Sequence, residues 1–221
     1  VTGHDDGQST LEQLDSANLF MVPLDDYRCW YRYHRLFRDL LNRRLLETCP
    51  QSPPALHQRA SKWCESRGLL PTAIEHALKA EDAAEAGRLI EQAAESALMH
   101  SELKTLLGWM ARLPTDVADA RPALRLAQAW ALFLSGSSLA AVEECLNRAG
   151  DGTGRKMILR AMIAIVQGRL PEAFDLGRQA TALLAEDDSF SRPLAMWRQG
   201  ISDMVAGDLS GGMRTLSEVA E

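Results

Sequence analysis

The residue types able to do chemistry are thinly spread through this sequence. Of five histidines, His57 and His76 fall on helical segments and His100 near a helix junction. Each reads as a surface or satisfied core histidine rather than a ligand. The four cysteines, Cys29, Cys49, Cys64 and Cys145, form no CxxC pair, and a metal site would want clustered thiolates and imidazoles. Four free thiols in a reducing cytoplasm are expected, with no metal. GxSxG, HExxH and GxxxxGK[ST] are missing. The glycine-rich "GDGTG" (150–154) follows no strand and reads as a turn between repeats, and "AEDD" (185–188) as an exposed acidic helix end. No catalytic residue, metal or cofactor is assigned to this chain, and it does not read as an enzyme.

One stretch invites a different chemistry. "WYRYHRLFRDLLNRRL" (30–45) holds five arginines and four aromatics against one acid, a composition suited to gripping nucleic acid. The surroundings argue against it. Net charge is −6, and residues 28–46 carry +5, so the remainder stands at −11. A protein that coats nucleic acid is not built this way. The stretch itself resolves into ordinary parts. "WYRY" alternates, which puts Trp30 and Tyr31 on opposite faces of a short strand. Leu36, Phe37, Leu40, Leu41 and Leu45 form one apolar stripe of a following helix, expected to be a core face, with arginines near its end where cations are favoured.

The elements that would position these residues come in two textures. Residues 1–49 read as a helix (10–18), a strand in "LFMVPL", a turn at Asp25 and Asp26, a strand in "CWYRY" and a helix from Arg35: a hairpin wing flanked by helices. "PQSPP" (50–54) breaks the chain. From there to 221 apolar residues recur at three and four. Helices are expected near 54–67, 71–80, 82–99, 101–113, 122–135, 139–149, 155–167, 171–185, 193–206 and 209–220. No apolar run is long enough to cross a bilayer, and a cytoplasmic protein is expected. The start lacks a methionine and the features of a signal peptide, and the end falls inside a helical pattern, so the chain reads as a piece of something longer.

Within 50–221 a repeat emerges. Gly68, Gly136, Gly168 and Gly207 end alternate helices. Seven residues before them stand Ser61, Ala129, Ala161 and Gly200, and five after them Ala73, Ala141, Ala173 and Gly212. Small residues let paired helices cross closely, and glycine tolerates the left-handed conformation that ends a helix. A helix-turn-helix unit near 34 residues is the tetratricopeptide period. The fold class expected is therefore mainly α: a tetratricopeptide-like right-handed superhelix of antiparallel helix pairs, preceded by a winged-helix remnant with a short β-hairpin. The segment 82–113 departs from the pattern, with Glu95, Glu102 and Leu107 at the corresponding places.

Stepping back ten, six and three residues from the last three glycines gives Leu126, Trp130 and Phe133, then Ile158, Met162 and Ile165, then Trp197, Ile201 and Met204. The same steps from Gly68 give polar Gln58, Lys62 and Glu65. This spacing puts each triplet on one helical face. The nine apolar residues are either a groove for an effector or the core of a tight superhelix. Burying each is worth roughly 1.5–3 kcal/mol, so either way something covers them.

The segments "LEQLDSANLFMVPLDDYRCWYRYHRLFRDLLNRRL" (11–45), "AIEHALKAEDAAEAGRLIEQAAE" (73–95) and "LGWMARLPTDVADARPALRLAQAWALFLSG" (107–136) carry a recognisable pattern. The last contains Trp109, Leu113-Pro114, Arg121-Pro122, Leu124, Ala129-Trp130 and Gly136. The chain resembles MalT-like regulators, large LuxR-type transcription factors of the STAND class. The resemblance is strong over 11–136 and generic beyond. It implies the end of a winged-helix module followed by a sensor domain. In the parent protein, a nucleotide-binding module would precede this region and a helix-turn-helix would follow it. The implied role is to bind a small-molecule inducer or a regulatory protein and to control ATP-dependent self-association. ATP or ADP would belong to the full-length protein only. By the same resemblance, His34 in "YRYHRLF" would contact the diphosphate of bound ADP there, the alternative being a purely structural histidine. Two other readings stand: a free-standing tetratricopeptide adaptor binding a protein, and direct nucleic-acid binding through 28–46.

Overall fold

The structure, a computed structural model, describes residues 6–28, 30–49, 51–150 and 154–184, together with 196, 211, 213 and 214. Cys29 and the expected helices at 193–206 and 209–220 lie outside the described residues, apart from those isolated positions. Eleven α-helices and one two-stranded hairpin are seen among the described residues. The chain divides into two compact units, Val1–Ala86 and Gly87–Glu221.

In the first unit, α1 (Gly7–Ser16) leads to β1 (Met21–Pro23) and β2 (Tyr31–Tyr33), then to α2 (Arg35–Thr48). The strands are antiparallel, with Met21 opposite Tyr33 and Pro23 opposite Tyr31. They are shorter than the sequence suggests. Asn18 and Phe20 take left-handed backbone conformations (φ +53° and +55°), so Leu19 and Phe20 cannot extend the first strand. Asp25 organises the turn: its carboxylate accepts a hydrogen bond from the Trp30 amide at 2.8 Å. The Leu24 amide donates to the Trp30 carbonyl, also at 2.8 Å. Phe37 of α2 packs against Phe20 and Tyr33, ring centroids 5.2 and 5.6 Å apart.

The apolar stripe of α2 is not the core face expected of it. Phe37 and Leu45 are half-buried, but Leu36 is 75% exposed, Leu40 58% and Leu41 37%. Among the described residues, the packing on α2 comes from the wing aromatics on Phe37 and from α3. Among the described residues nothing buries Leu36, Leu40 or Leu41.

The unit continues as a helical hairpin, α3 (Ser52–Ser66) and α4 (Leu70–Lys79). Ser61 and Ala73, the small residues of the repeat, meet at the crossing, where the Ser61 hydroxyl donates to the Ala73 carbonyl at 2.9 Å. Gly68 has φ +73°. Its amide donates to Glu65 O and the next amide, of Leu69, to Cys64 O. This pair of bonds is a Schellman cap, satisfying carbonyls that the helix end leaves open.

In the second unit the same device recurs. α8 (Pro122–Leu134) pairs with α9 (Leu139–Arg148), and α10 (Gly154–Val166) with α11 (Leu170–Leu183). Gly136 (φ +73°) and Gly168 (φ +75°) cap the first helix of each pair with the same two bonds, Gly136 to Phe133 O and Ser137 to Leu132 O, Gly168 to Ile165 O and Arg169 to Ala164 O. Ala129, Ala161 and Ala173 are fully buried. The repeat read from glycines and small residues is thus a repeat of helix hairpins.

The atypical segment consists of α5 (Ala83–Met99), which begins in the first unit and runs into the second, α6 (Leu103–Met110) and a short α7 (Thr115–Asp119). Here Ser101, with φ +59°, holds the left-handed position, one residue before the Glu102 that the period indicates. The prolines of the LP and RP pairs start helices: Pro114 caps α7, and Pro122 is the first residue of α8, where its missing N–H costs nothing. Arg125, only 8% exposed, is held by the Asp119 carboxylate at 2.7 Å and by Gln128. Cys64 and Cys145 are buried, and both they and the exposed Cys49 are free thiols. Among the described residues no helix is long and apolar enough to cross a membrane.

Candidate functional site

The six described members of the apolar face separate by depth. Leu126, Trp130 and Ile158 are buried, with Trp130 at 2% exposure. Phe133, Met162 and Ile165 are half-buried. Trp197, Ile201 and Met204 lie outside the described residues. Phe133 stands edge-on to Trp130, ring centroids 6.4 Å apart at 89°.

Two of the six, Leu126 and Trp130, line one cavity of about 120 Å³. Its opposite wall is α5, through Ala94 and Leu98, and Glu91, Glu95 and Arg155 border it. Glu91 binds Arg121 and Glu95 binds Arg155, each at 2.9 Å. The arrangement is an apolar floor from α8 with one indole beneath a charged rim from α5 and α10. Such a site can hold a small group by its apolar face and orient it by hydrogen bonds at the rim. Its volume is well below the roughly 300–1,000 Å³ of a drug-sized pocket, so it suits one inserted group rather than a whole large ligand. Ile158, Phe133, Met162 and Ile165 do not line it.

The polar half was missed in the sequence because α5 carries none of the glycine offsets that defined the repeat. A signal was present: Glu91 and Glu95 are four apart, on one face of α5. Arg121 and Arg155 sit at the start of helices eight and ten. A second, polar cleft of about 280 Å³ lies among α9, α10 and α11, lined by Arg160, Arg169, Glu143, Glu172 and Asn147.

His34 sits at the junction of β2 and α2, as the residue capping the helix. Its amide donates to Phe20 O at 2.7 Å, and its carbonyl accepts the Arg38 amide at 2.9 Å. The ring is exposed and borders an apolar cavity of about 470 Å³ with Phe20, Leu36, Phe37 and Leu40. The first turn of α2 contains no acidic residue, and the His34 side chain makes no cap hydrogen bond.

The histidines on α3 and α4 hold the least expected geometry. His57 Nδ1 and His76 Nδ1 are 2.9 Å apart, between residues nineteen apart in sequence. Burial, and secondarily the Lys79 ammonium, pushes the His57 imidazole below its usual range. Burial does the same to His76, reinforced by His57 and Lys79 and opposed by Glu75. Periodicity says nothing of such a contact, because it joins two helices. Among the described residues no cluster of three or more His, Cys, Asp or Glu could hold a metal.

Comparison with known proteins fits the wing. Residues 1–53 match the family model described as MalT winged helix domain. The HTH-type transcriptional regulator MalT of Yersinia enterocolitica is 30% identical over 233 residues, covering 100% of this chain and 26% of that protein. The chain is MalT-like. A second MalT, from Cronobacter sakazakii, is 30% identical over 226 residues, 99% of this chain and 25% of that one. The serine/threonine-protein kinase PknK of Mycobacterium tuberculosis is 34% identical over 193 residues, 86% of this chain and 16% of the kinase. The chain thus spans about a quarter or less of the curated relatives it matches. No solved structure matches it. The MalT winged-helix match takes in α1, the β-hairpin, α2 and the first residues of α3.

Proposed function

We propose that this region is the signal-receiving and self-association segment of a LuxR-type, MalT-like transcription regulator. It binds an inducer or a regulatory protein through its helical hairpins and thereby controls transcription activation by the DNA-bound parent. The segment has no catalysis of its own. The observation that carries the reading is the cavity bordered by Glu91 and by the Glu95–Arg155 ion pair over Leu126 and Trp130. Residues of three helices line it, so an inserted group would bias how α5, α8 and α10 pack. Charged rims shift with a ligand's charge and hydrogen bonds, and a ligand can move a packing equilibrium only by its differential contacts.

The range of relatives supports a signal-receiving role. Similar sequence occurs in a protein named as a kinase and in proteins named as transcriptional regulators. What they share over this region is then an input rather than either output. For the parent, we infer that His34 reads bound nucleotide. Its place at a helix N-terminus, where its own side chain makes no cap hydrogen bond, favours a phosphate oxygen, since first-turn amides and the helix dipole both attract anions. Contact with nucleic acid is assigned to other parts of the parent.

The test is a thermal-shift screen of small polar metabolites on this protein, followed by Glu95→Gln and Arg155→Gln. A ligand that binds only the folded state raises apparent stability. The expected result is a ligand whose shift is lost in both variants while the unliganded melting temperature stays near that of the parent sequence. A ligand whose shift survives both substitutions would place the receiving site elsewhere.

A further inference from the structure

The His57–His76 contact has a direction as well as a length. The ring centroids are 5.1 Å apart and the facing nitrogens 2.9 Å. The centroid gap exceeds the nitrogen gap by about one ring diameter, so the nitrogens point at each other. A metal held by both would need lone pairs converging on a third point. Head-to-head nitrogens instead share one proton: one Nδ1–H donates to the other, bare Nδ1. The accepting ring must then carry its own proton on Nε2, so the contact fixes both tautomers.

His57 also borders a cavity of about 380 Å³ among α2, α3 and α4. Leu45, Leu46, Pro53 and Leu56 form its apolar wall, and Asn42, His57 and Lys79 are its polar members. Among the described residues no acidic side chain lines it. Its size falls at the lower end of the roughly 300–1,000 Å³ typical of small-ligand sites. One cation and two neutral donors beside an apolar wall match a ligand with a negative head and a short hydrocarbon body.

We propose that this cavity binds a small carboxylate carrying a short apolar tail. The carboxylate accepts hydrogen bonds from the Lys79 ammonium and from His57 Nε2–H, with Asn42 within the same cavity. The tail lies on Leu45, Leu46, Pro53 and Leu56. His76 is a positioning residue: it donates to His57 Nδ1, which keeps the His57 proton on Nε2, facing the ligand. Binding needs no covalent step. The site shares no residue with the cavity between α5, α8 and α10, and it stands or falls independently of the function proposed above.

Hexanoate is the probe, with hexan-1-ol and acetate as partial probes, titrated into the whole 221-residue protein and followed by calorimetry and by imidazole resonances. The expected result is saturable hexanoate binding that moves the His57 and His76 signals. The alcohol and acetate should each bind about tenfold or more weakly, as loss of one charge-assisted hydrogen bond or of the tail predicts. Lys79 is exposed, so Lys79→Gln is expected to fold and to weaken hexanoate by a similar factor. His76→Gln, read by nitrogen shifts of His57, should let the His57 proton redistribute between its two nitrogens and weaken hexanoate further. Equal binding of alcohol and hexanoate would overturn the proposal, as would an unchanged affinity in Lys79→Gln, silent imidazole resonances or no saturable hexanoate binding at all.

Discussion

α2 and α8 carry stripes of the same kind. In each, large apolar residues recur at helical spacing, and in each an apolar face is legible from the sequence. Yet Trp130 on α8 is 2% exposed while Leu36 and Leu40 on α2 are 75% and 58% exposed. The difference lies in the surroundings. α8 has α6, α7, α9 and α10 against it. α2 has wing aromatics at Phe37 and α3. Periodicity reports that a helix has an apolar face; only the neighbouring elements determine whether that face is paid its burial energy.

The sharpest test sets the two helices side by side in urea denaturation. Trp130→Ala should lose about 3–5 kcal/mol, the range for deleting a buried aromatic. Leu40→Ala should change stability by no more than about 0.5 kcal/mol, as exposed positions do. Equal losses would break the comparison, since they would mean that the α2 face is covered in solution. Overpacking a helix crossing comes next: Ala161→Leu, at a fully buried position, should cost about 1–3 kcal/mol. The corresponding bulk at Leu41→Phe on α2 should be tolerated, and a matching loss would again sink the contrast.

Smaller effects are expected at the helix ends. Gly168→Ala forces a side chain into φ +75°, at about 1 kcal/mol. Ser101→Gly works in the other direction, relieving a left-handed serine at φ +59°, and should raise the melting temperature slightly. A loss of stability in Ser101→Gly would mean that the serine side chain supports the turn.

The smallest effect concerns pH. His57 and His76 are both pushed below 6.5 in the folded state, mainly by burial. The unfolded chain therefore binds protons that the folded one refuses. Their contribution is complete above pH 6.5 and is lost as pH falls from there through the lowered folded values. Lys79 steepens this loss and Glu75 softens it. The double variant His57→Gln, His76→Gln should flatten the stability profile below pH 6.5; an unaltered slope would assign it to other groups.

Much of the helical architecture was legible because its signals are local. Gly68, Gly136 and Gly168 each announce a left-handed cap within a few residues, and Ser61, Ala129, Ala161 and Ala173 announce crossings at fixed offsets from them. α7 escaped notice because five residues between two prolines carry too little periodicity. Ser101 escaped because nothing in its type marks it for a left-handed position that glycine holds elsewhere. The candidate cavity was half legible. Leu126 and Trp130 followed from the repeat, whereas Glu91, Glu95 and Arg155 acquire meaning only when α5 and α10 are brought together. The histidine pair was invisible for the same reason.

The helix ends have a consequence of another kind. Asn18, Gly68, Glu81, Ser101, Gly136 and Gly168 all hold left-handed backbone, and each is closed by two amides reaching back to carbonyls of its own helix. Each turn is thus written within a handful of adjacent residues and borrows nothing from its neighbours. Such a segment can be duplicated, deleted or exchanged by recombination without rewriting the next. A lineage built from these self-closing turns can lengthen or shorten its helical array while inheriting the rules for reversing the chain.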